Sequence, residues 1–386
     1  MKILINAISL KMGGSKVIIN SFVENIPKDN NEYHFIVYPG VLNNIDYKKL
    51  NNNIIIKELD IGKKSHIERF LWDQIKLPKY IKRHKFDYMI NMTNYGPAFP
   101  KCKQILLLHN AKHISQEIKK TLSMKDRFKL IIEDIILKFS LFGTYKLIVQ
   151  TNYMKRGILN KFNFKEEDII IIPNFCNKKN NDTKDFELEK LLNNCINKND
   201  FVLSYISLYS PYKNFEKLID AIEILKNNTD INVKLILTLD RNEKNGAEKI
   251  LDEIKNRNLS NYIISVGNIE NSKINQILKK SDVFIFPSSA ESFGMPLIEA
   301  MNAGVPILAS DLEFAHNVCE DAAIYFKYDN SLDIAEKIKL VINNKNILNE
   351  LKEKSIIRST YFNEEKIMGE YLSIIREEKN ENSNCY

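Results

Sequence analysis

The chain has 386 residues, of which 44% are hydrophobic and 27% charged, and its formal net charge is +7. The length fits two domains of roughly 100–200 residues each, and the apolar content excludes a mainly disordered, collagen-like or coiled-coil chain. No apolar run approaches the roughly 20 residues of a membrane-spanning helix, and residues 1–6 lack the features of a signal peptide.

Short apolar runs alternate with longer amphipathic stretches along the whole chain. Several runs show no alternation of polar and apolar residues, which is typical of strands buried on both faces in a parallel sheet. The predicted strands are residues 2–6, 33–37, 53–59, 88–92, 104–109, 147–150, 169–172, 201–206, 233–239, 263–266, 283–286 and 306–309. Helices predicted between them, such as 214–227 and 247–258, complete a β-α-β series, so we expect two doubly wound α/β domains.

The domain boundary is expected within residues 174–200, where Asn, Lys and Asp are crowded together as in a linker. This places a first domain at 1–180 and a second at 181–362. A final helix over about 363–378 is a candidate to pack back on the first domain.

Charge is distributed unevenly between the two halves. Residues 1–180 hold 31 Lys and Arg against 16 Asp and Glu, a net of +15, and residues 181–386 hold 25 against 33, a net of −8. The asymmetry indicates either an anionic partner of the first half or a solvated lysine-rich surface. Nucleic acid is not expected as the partner, because arginines are few and no recognisable binding motif occurs.

The five cysteines are odd in number, widely spaced and free of any C-x-x-C pattern. Neither a disulfide framework nor a zinc cluster is favoured, so we expect a protein of the reducing cytoplasm.

The segment 286–310 is the most informative part of the sequence. It reads as a strand end, a small polar loop and a helix that starts near Pro296, since proline suits a first helical turn. Gly294 lets the loop backbone come close to a ligand, and helix N-termini beyond parallel strands attract phosphate. Glu291 lies in the loop and Glu299 one turn into the helix, so the two carboxylates can hold opposite ends of one extended ligand.

This segment resembles glycosyltransferase family 4, whose members are retaining enzymes of the GT-B fold with two facing Rossmann-like domains and a cleft between them. Residues 287–306 read P-S-x-x-E-S-F-G-x-P-x-x-E-A-M-x-x-G-x-P and contain the two-glutamate motif of that family. The resemblance implies that Glu291 binds hydroxyls of the donor sugar and that Glu299 binds the ribose. It also implies donor contacts from the residues around Gly294, which are Ser292, Phe293, Met295 and Leu297.

Weaker matches extend the resemblance over most of the chain. Gly13 and Gly14 match a glycine loop that faces the donor, and His109 matches a histidine that contacts the donor sugar. Lys213 matches a lysine that binds the donor diphosphate as a point charge. The turn at Gly267 and the nearby Ile269 match the region that contacts the nucleotide base.

One position departs from the family pattern. Many members carry an arginine five residues before the phosphate-binding lysine, where this chain has Leu208. Arg241 is one candidate for a replacement cation, although an ordinary loop arginine is an equally simple interpretation.

The resemblance implies transfer of a sugar from a nucleotide-diphosphate donor to an acceptor hydroxyl with retention of configuration, and with no cofactor and no metal ion. The acceptor is expected to be a glycan or a polyprenyl-linked glycan of bacterial surface polysaccharide assembly, such as lipopolysaccharide or capsule. The alternatives are a degenerate scaffold that binds nucleotide sugars and a sugar-nucleotide epimerase of the same fold.

Residues 112–146 mix lysines with a regular series of apolar residues. A basic amphipathic helix of this kind can lie in an anionic membrane interface, or it can be a core helix packed on the sheet. The first interpretation predicts a cytoplasmic protein with peripheral contact at the inner face of the plasma membrane.

Overall fold

The computed structural model describes residues 1–10, 14–43, 45–61, 66–175, 185–228, 232–243 and 246–383. The chain divides into two compact units. The first unit comprises residues 1–115, residues 122–175 and the C-terminal segment from Glu364, and the second comprises residues 116–121 and 176–363. The domain boundary predicted at residues 180–181 lies outside the described residues.

The first unit is built on a seven-stranded parallel sheet with the strand order β3-β2-β1-β4-β5-β6-β7. Its strands are β1 (Lys2–Ala7), β2 (Glu32–Val37), β3 (Ile54–Glu58), β4 (Tyr88–Asn91), β5 (Lys103–Leu107), β6 (Lys146–Val149) and β7 (Ile169–Ile171). Its helices are α1 (Gly14–Glu24), α2 (His66–Leu71), α3 (Leu77–His84), α5 (Met124–Phe142), α6 (Asn152–Lys161) and α15 (Glu364–Ser383). A π-helical segment, Trp72–Lys76, joins α2 to α3.

The second unit holds a six-stranded parallel sheet with the order β10-β9-β8-β11-β12-β13. Its strands are β8 (Phe201–Tyr205), β9 (Val233–Leu237), β10 (Ile263–Ser265), β11 (Val283–Phe286), β12 (Ile307–Ser310) and β13 (Ala323–Phe326). Its helices are α4 (Gln116–Thr121), α7 (Phe186–Cys195), α8 (Phe215–Asn228), α9 (Ala247–Asn256), α10 (Ile274–Leu278), α11 (Met295–Asn302), α12 (Glu313–Cys319), α13 (Ser331–Ile342) and α14 (Lys345–Ser359).

The central strands are buried on both faces, as the lack of a regular polar and apolar alternation predicts. Every residue of β4, β9 and β11 is buried. Helices packed on a sheet remove its second face from water, and this burial is the main stabilising contribution to such a domain.

Each of the twelve predicted strands overlaps an observed strand. Strand β13 was missed, although its segment Ala323–Phe326 is apolar and pairs in register with β12. The expected linker, 174–200, contains helix α7, which Asp185 caps by accepting hydrogen bonds from the backbone N–H groups of Glu187 and Leu188. A polar composition therefore did not prevent a capped helix from forming there.

Helix α15 extends the predicted final helix and packs within the first unit. The ring of Tyr371 lies 5.0 Å from the ring of Phe22 on α1, edge to face. Ser21 of α1 and Asn25, the residue after that helix, donate hydrogen bonds to the Glu364 carboxylate at the start of α15. Among the described helices none is both long and apolar enough to cross a bilayer.

Candidate functional site

The second unit brings two polar loops together where its strand order reverses. Strands β8 and β11 are neighbours in the sheet although they are not consecutive in the chain. In parallel α/β sheets, ligands bind outside the carboxyl ends of the strands at this switch point. The loop after β8 carries Lys213 and the loop after β11 carries Glu291, so the topology places both residues at the expected position.

Lys213 and Glu291 form an ion pair between their side chains, each of which is only 15% exposed. The hydroxyl of Ser288 donates a second hydrogen bond, 2.9 Å long, to Oε1 of Glu291. The Lys213 Nζ also lies 5.5 Å from the ring centre of Tyr212 and 5.8 Å from that of Phe286. A shielded charge pair of this kind is stronger than a surface pair, and each partner is costly to remove alone.

Hydrogen bonds tie the two loops to each other. The backbone N–H and the hydroxyl of Ser289 both donate to the carbonyl of Tyr212, at 2.8 and 3.0 Å. Asn214 adopts φ +60° just after Lys213, and its side-chain amide donates to the carbonyl of Pro287 at 3.3 Å. Lys213 and Glu291 are therefore held by rigid backbone, as a preorganised site requires.

Gly294 is the turn at which the loop enters helix α11. It adopts φ +94°, and a Cβ built there would lie 3.0 Å from Cδ1 of Leu297. Its carbonyl accepts a hydrogen bond from the backbone N–H of Leu297, which closes the first turn of the helix. Of the other predicted residues, Phe293 is buried and packs edge to face on Phe362, while Ser292 and Met295 are partly buried. The left-handed conformation and the close contact together favour glycine at this position.

Glu299 lies on α11 and is partly buried. Burial raises the pKa of Glu299 to about 7, because desolvation disfavours the charged form. Its side chain makes no hydrogen bond or ion pair with any described residue. A carboxyl group in this state has unused acceptor capacity, which vicinal hydroxyl groups can fill.

The base-contacting residues predicted from the resemblance lie after β10. Gly267 adopts φ +78°, and a Cβ built there would meet no atom within 4 Å. Ile269, two residues later, is partly buried. This turn therefore has open space beside it, as a planar base requires.

The two positions that bear on the missing arginine are both at the surface. Leu208 is 55% exposed. Arg241 binds Oδ1 of Asp252 at 2.7 Å, with both side chains 55% exposed. Arg241 is thus engaged in a surface ion pair on the α9 side, and nothing in its contacts links it to Lys213.

In the first unit, His109 follows strand β5 at the carboxyl edge of the sheet. Its backbone N–H donates to Oδ1 of Asn94 at 2.6 Å. Its ring Nε2 is buried and has no hydrogen-bond partner among the described residues. Burial lowers the pKa of His109 to about 4, so the imidazole is neutral near pH 7.

The glycine pair predicted after β1 is only partly described. Gly13 lies outside the described residues, and Gly14 is the first residue of α1. Strands β1 and β4 are neighbours at the point where the strand order of the first sheet reverses.

Two polar residues near the predicted site were missed in the sequence. Ser288, which donates to Glu291, lies inside the matched motif but is not one of its glutamates. Gln150, at the carboxyl end of β6, is 2% exposed, and both polar atoms of its side chain lack a hydrogen-bond partner among the described residues. The sequence shows an amide at the end of a predicted strand. Only the folded structure shows that this amide has no hydrogen-bond partner among the described residues.

Within the residues that the structure describes, no group of three or more His, Cys, Asp or Glu is arranged to hold a metal ion.

Several known proteins resemble this chain in sequence or in fold. Residues 189–358 match the family described as glycosyl transferases group 1. The uncharacterized glycosyltransferase MJ1178 of Methanocaldococcus jannaschii is 26% identical over 376 residues, covering 91% of this chain and 92% of that protein. The capsular polysaccharide biosynthesis glycosyltransferase CapH of Staphylococcus aureus is 24% identical, covering 81% of this chain and 83% of its own length.

Among solved structures, Anabaena Alr3699/HepE in complex with UDP and glucose is similar, with a TM-score of 0.73 and 17% identity. The similarity covers 98% of this chain and all of that one. At this identity the likeness concerns the fold, and it confirms the predicted GT-B architecture. Together with the family match, these relatives support a glycosyltransferase of the GT-B type.

Proposed function

We propose that the protein is a retaining glycosyltransferase that moves a sugar from a nucleotide-diphosphate donor to a glycan or lipid-linked acceptor in bacterial surface polysaccharide biosynthesis. The observation that carries this proposal is the shielded Lys213–Glu291 pair at the reversal point of the second sheet. The name of the relative CapH supports the polysaccharide class, and the UDP and glucose bound to HepE support a nucleotide-sugar donor.

Loss of the nucleotide diphosphate makes negative charge grow on the leaving group, and stabilising that charge is the main electrostatic task of such an enzyme. Lys213 supplies a positive charge for it, and the backbone N–H groups at the start of α11 supply dipoles of the same sign. This pairing is the basis for proposing a reaction that needs no metal ion and no cofactor.

The two glutamates take different roles in the proposal. Glu291, paired with Lys213, accepts hydrogen bonds from hydroxyls of the transferred sugar. Glu299, which has no partner of its own, accepts hydrogen bonds from the ribose. The neutral His109 imidazole contacts the sugar as a hydrogen-bonding group without adding charge.

The test is transfer of labelled sugar from UDP-glucose or GDP-mannose to soluble glycans and to bacterial lipid extract, in EDTA and then with magnesium. Glu291→Ala should lower turnover by at least about 100-fold, comparable to the loss of an oxyanion-stabilising group. Glu336→Ala, at an exposed position on α13, is the matched control and should keep wild-type rates. The anomeric configuration of the product, read by NMR, tests retention.

Several outcomes would contradict the proposal. A folded Glu291→Ala variant with wild-type turnover would remove the assignment of that residue. Epimerised donor formed without acceptor would favour the epimerase alternative, and nucleotide binding without any transfer would favour the scaffold, for which exposed Leu208 is the one hint.

Helix α5 is the basis for the proposed contact with a membrane. Its buried face consists of Leu130, Leu137, Ser140 and Leu141. Seven large apolar side chains on the helix are each 45% exposed or more, and they are Met124, Phe128, Ile131, Ile132, Ile135, Phe139 and Phe142. Helical geometry places these seven within a stripe of about 100°, and Phe99 extends it by an edge-to-face contact with Phe142 at 5.8 Å. An apolar surface of this size marks an interaction site.

The charges of α5 fit an anionic bilayer. Lys125 and Lys129 follow one edge of the apolar stripe and Arg127 and Lys138 the other, and all four are exposed. The acidic side chains lie on the opposite half of the helix, where Glu133 pairs with Lys112 and Asp134 with Lys161. We therefore place the protein at the cytoplasmic face of the membrane, where the stripe enters the interface and the cations meet lipid headgroups.

A further inference from the structure

Gln150 carries a buried amide that the folded protein leaves without partners. The residue follows strand β6 and is 2% exposed, and neither Oε1 nor Nε2 forms a hydrogen bond with any described residue. Among the described residues, Gln150 is the only one whose side-chain amide oxygen and nitrogen are both buried without a hydrogen-bond partner. Because such groups are costly to bury unpaired, the amide requires a partner that the described residues do not supply.

The neighbouring strand ends in a second unpaired group. The last register pair between β5 and β6 is Leu107 with Ile148. His109 and Gln150 each lie two residues beyond that pair, at the carboxyl edge where ligands bind in such sheets. The ring Nε2 of His109 is also buried and unpartnered. Two adjacent strand ends therefore present an imidazole and an amide with free hydrogen-bonding capacity.

The occupant has to supply a donor for the Gln150 carbonyl oxygen and an acceptor for its NH₂ group. A hydroxyl group does both, and a sugar ring carries several at a spacing that suits an amide. We propose that Gln150 binds hydroxyls of the sugar that His109 contacts, which makes it a specificity-determining residue of the transferase. This inference rests on the proposed function. Since the amide is shielded in the free protein, binding requires the Gln150 and His109 side chains to turn toward the sugar.

The free protein offers a first test, with a matched control on the adjacent strand. Gln104 of β5 is also fully buried, but its Nε2 donates to the carbonyls of Pro97 and Gly143, and its Oε1 accepts from Asn91. Gln104→Met should lower the melting temperature or prevent folding. Gln150→Met and Gln150→Leu should leave the melting temperature unchanged or raise it, because they remove an unpaired amide from the interior.

The second test measures the donor reaction. The probes are UDP, GDP, UDP-glucose and GDP-mannose, and the readout is release of the nucleoside diphosphate in the absence of acceptor. Gln150→Met should keep the wild-type affinity for the free nucleoside diphosphate, while kcat/KM for the sugar donor falls at least about tenfold. Each donor analogue that lacks one ring hydroxyl should be a poorer substrate for the wild type than the full donor. The analogue that lacks the hydroxyl bound by Gln150 should have the same kcat/KM with wild type and with Gln150→Met.

The outcomes separate this inference from the proposed function. If Gln150→Met is destabilised and keeps full donor turnover, the Gln150 amide has a structural role, through a buried water or through packing. The inference is then wrong. If the wild type binds a nucleoside diphosphate and releases it from a donor, the proposed function stands whatever Gln150 does. If the wild type binds none of these four probes and neither ADP nor CDP, both the proposed function and this inference fail.

Discussion

At the scale of single residues, Glu299 and His109 show how burial sets protonation before any ligand arrives. Desolvation raises the pKa of the Glu299 carboxyl to about 7 and lowers the pKa of the His109 imidazole to about 4. Both shifts favour the neutral form. Lys213 and Glu291 instead compensate each other as a charge pair, so the second unit contains both this pair and the neutral carboxyl group of Glu299.

The shift at Glu299 predicts a pH dependence of stability. The folded state holds the Glu299 proton more tightly than the unfolded state, so the free energy of unfolding falls as pH rises from about 4.5 to about 7. Glu299→Gln should remove that loss. The difference in free energy of unfolding between the variant and wild type should be about 1–3 kcal/mol more favourable to the variant at pH 8 than at pH 4. This range follows from about 1.4 kcal/mol for each pKa unit, reduced because the side chain is partly exposed.

Urea unfolding of wild type and Glu299→Gln at a series of pH values measures this difference. A difference that does not change with pH would mean that Glu299 titrates as an ordinary exposed carboxylate. Because the pKa of His109 is lowered from 6.5 to about 4 in the folded state, the free energy of unfolding also falls as pH drops from about 6.5 to about 4. This contribution is the same in wild type and Glu299→Gln, so it cancels from their difference.

At the scale of elements, helix α5 has one face that packs on the protein and one that does not. Leu130, Leu137 and Leu141 are buried. Most of the apolar series noticed in the sequence, including Phe128, Ile135 and Phe139, is exposed on the other side. The core-helix interpretation therefore describes one face of α5, and the exposed face is the basis for the membrane contact proposed above.

We predict that replacing Phe128 and Phe139 together by serine weakens binding to vesicles of anionic and zwitterionic lipid by at least about tenfold, since burying each ring contributes about 1.5–3 kcal/mol. The matched control is the pair Phe186→Ser and Ile357→Ser, two exposed apolar residues of α7 and α14, which should bind as wild type does. Vesicle flotation measures the binding, and donor turnover without vesicles should be unchanged in both variants.

A second set of variants measures the contribution of the lysine charges to vesicle binding separately from that of the apolar side chains. Lys125, Lys129 and Lys138 form no ion pair with any described residue, and replacing all three by alanine should remove the salt-sensitive part of binding, at about 1 kcal/mol for each cation. Equal binding of the serine variant and wild type would show that the stripe meets something other than lipid.

At the scale of the whole molecule, two parallel sheets with reversed strand order each place polar loops at their carboxyl edges. Such a molecule should be stabilised by the ligand that it binds, because a ligand that binds only the native state raises the free energy of unfolding. We expect one of UDP, GDP, ADP and CDP to raise the melting temperature in EDTA, with about 2.7 kcal/mol gained at 100 times its dissociation constant.

Thermal unfolding with each diphosphate, in EDTA and then with magnesium, identifies the nucleotide class. A rise in EDTA would support binding without a metal ion, and a rise only with magnesium would contradict it. Lys213→Ala should abolish the rise, and Lys339→Ala, at an exposed position on α13, is its control.

The sequence by itself determined the fold class, because apolar runs without alternation, such as that of β11, are typical of a parallel sheet buried on both faces. It also located the segment 287–306, since Gly294 and Pro296 specify a turn and a helix start locally. Strand β13 was missed although its apolar composition suits a strand, and helix α7 was missed because capping by Asp185 outweighs its polar surroundings. Only the tertiary structure decided which atoms remain unpaired and which apolar face stays exposed. The contact of Lys213 with Glu291, the unpaired amide of Gln150 and the open stripe of α5 all depend on packing between residues distant in the chain, which spacing along a sequence does not encode.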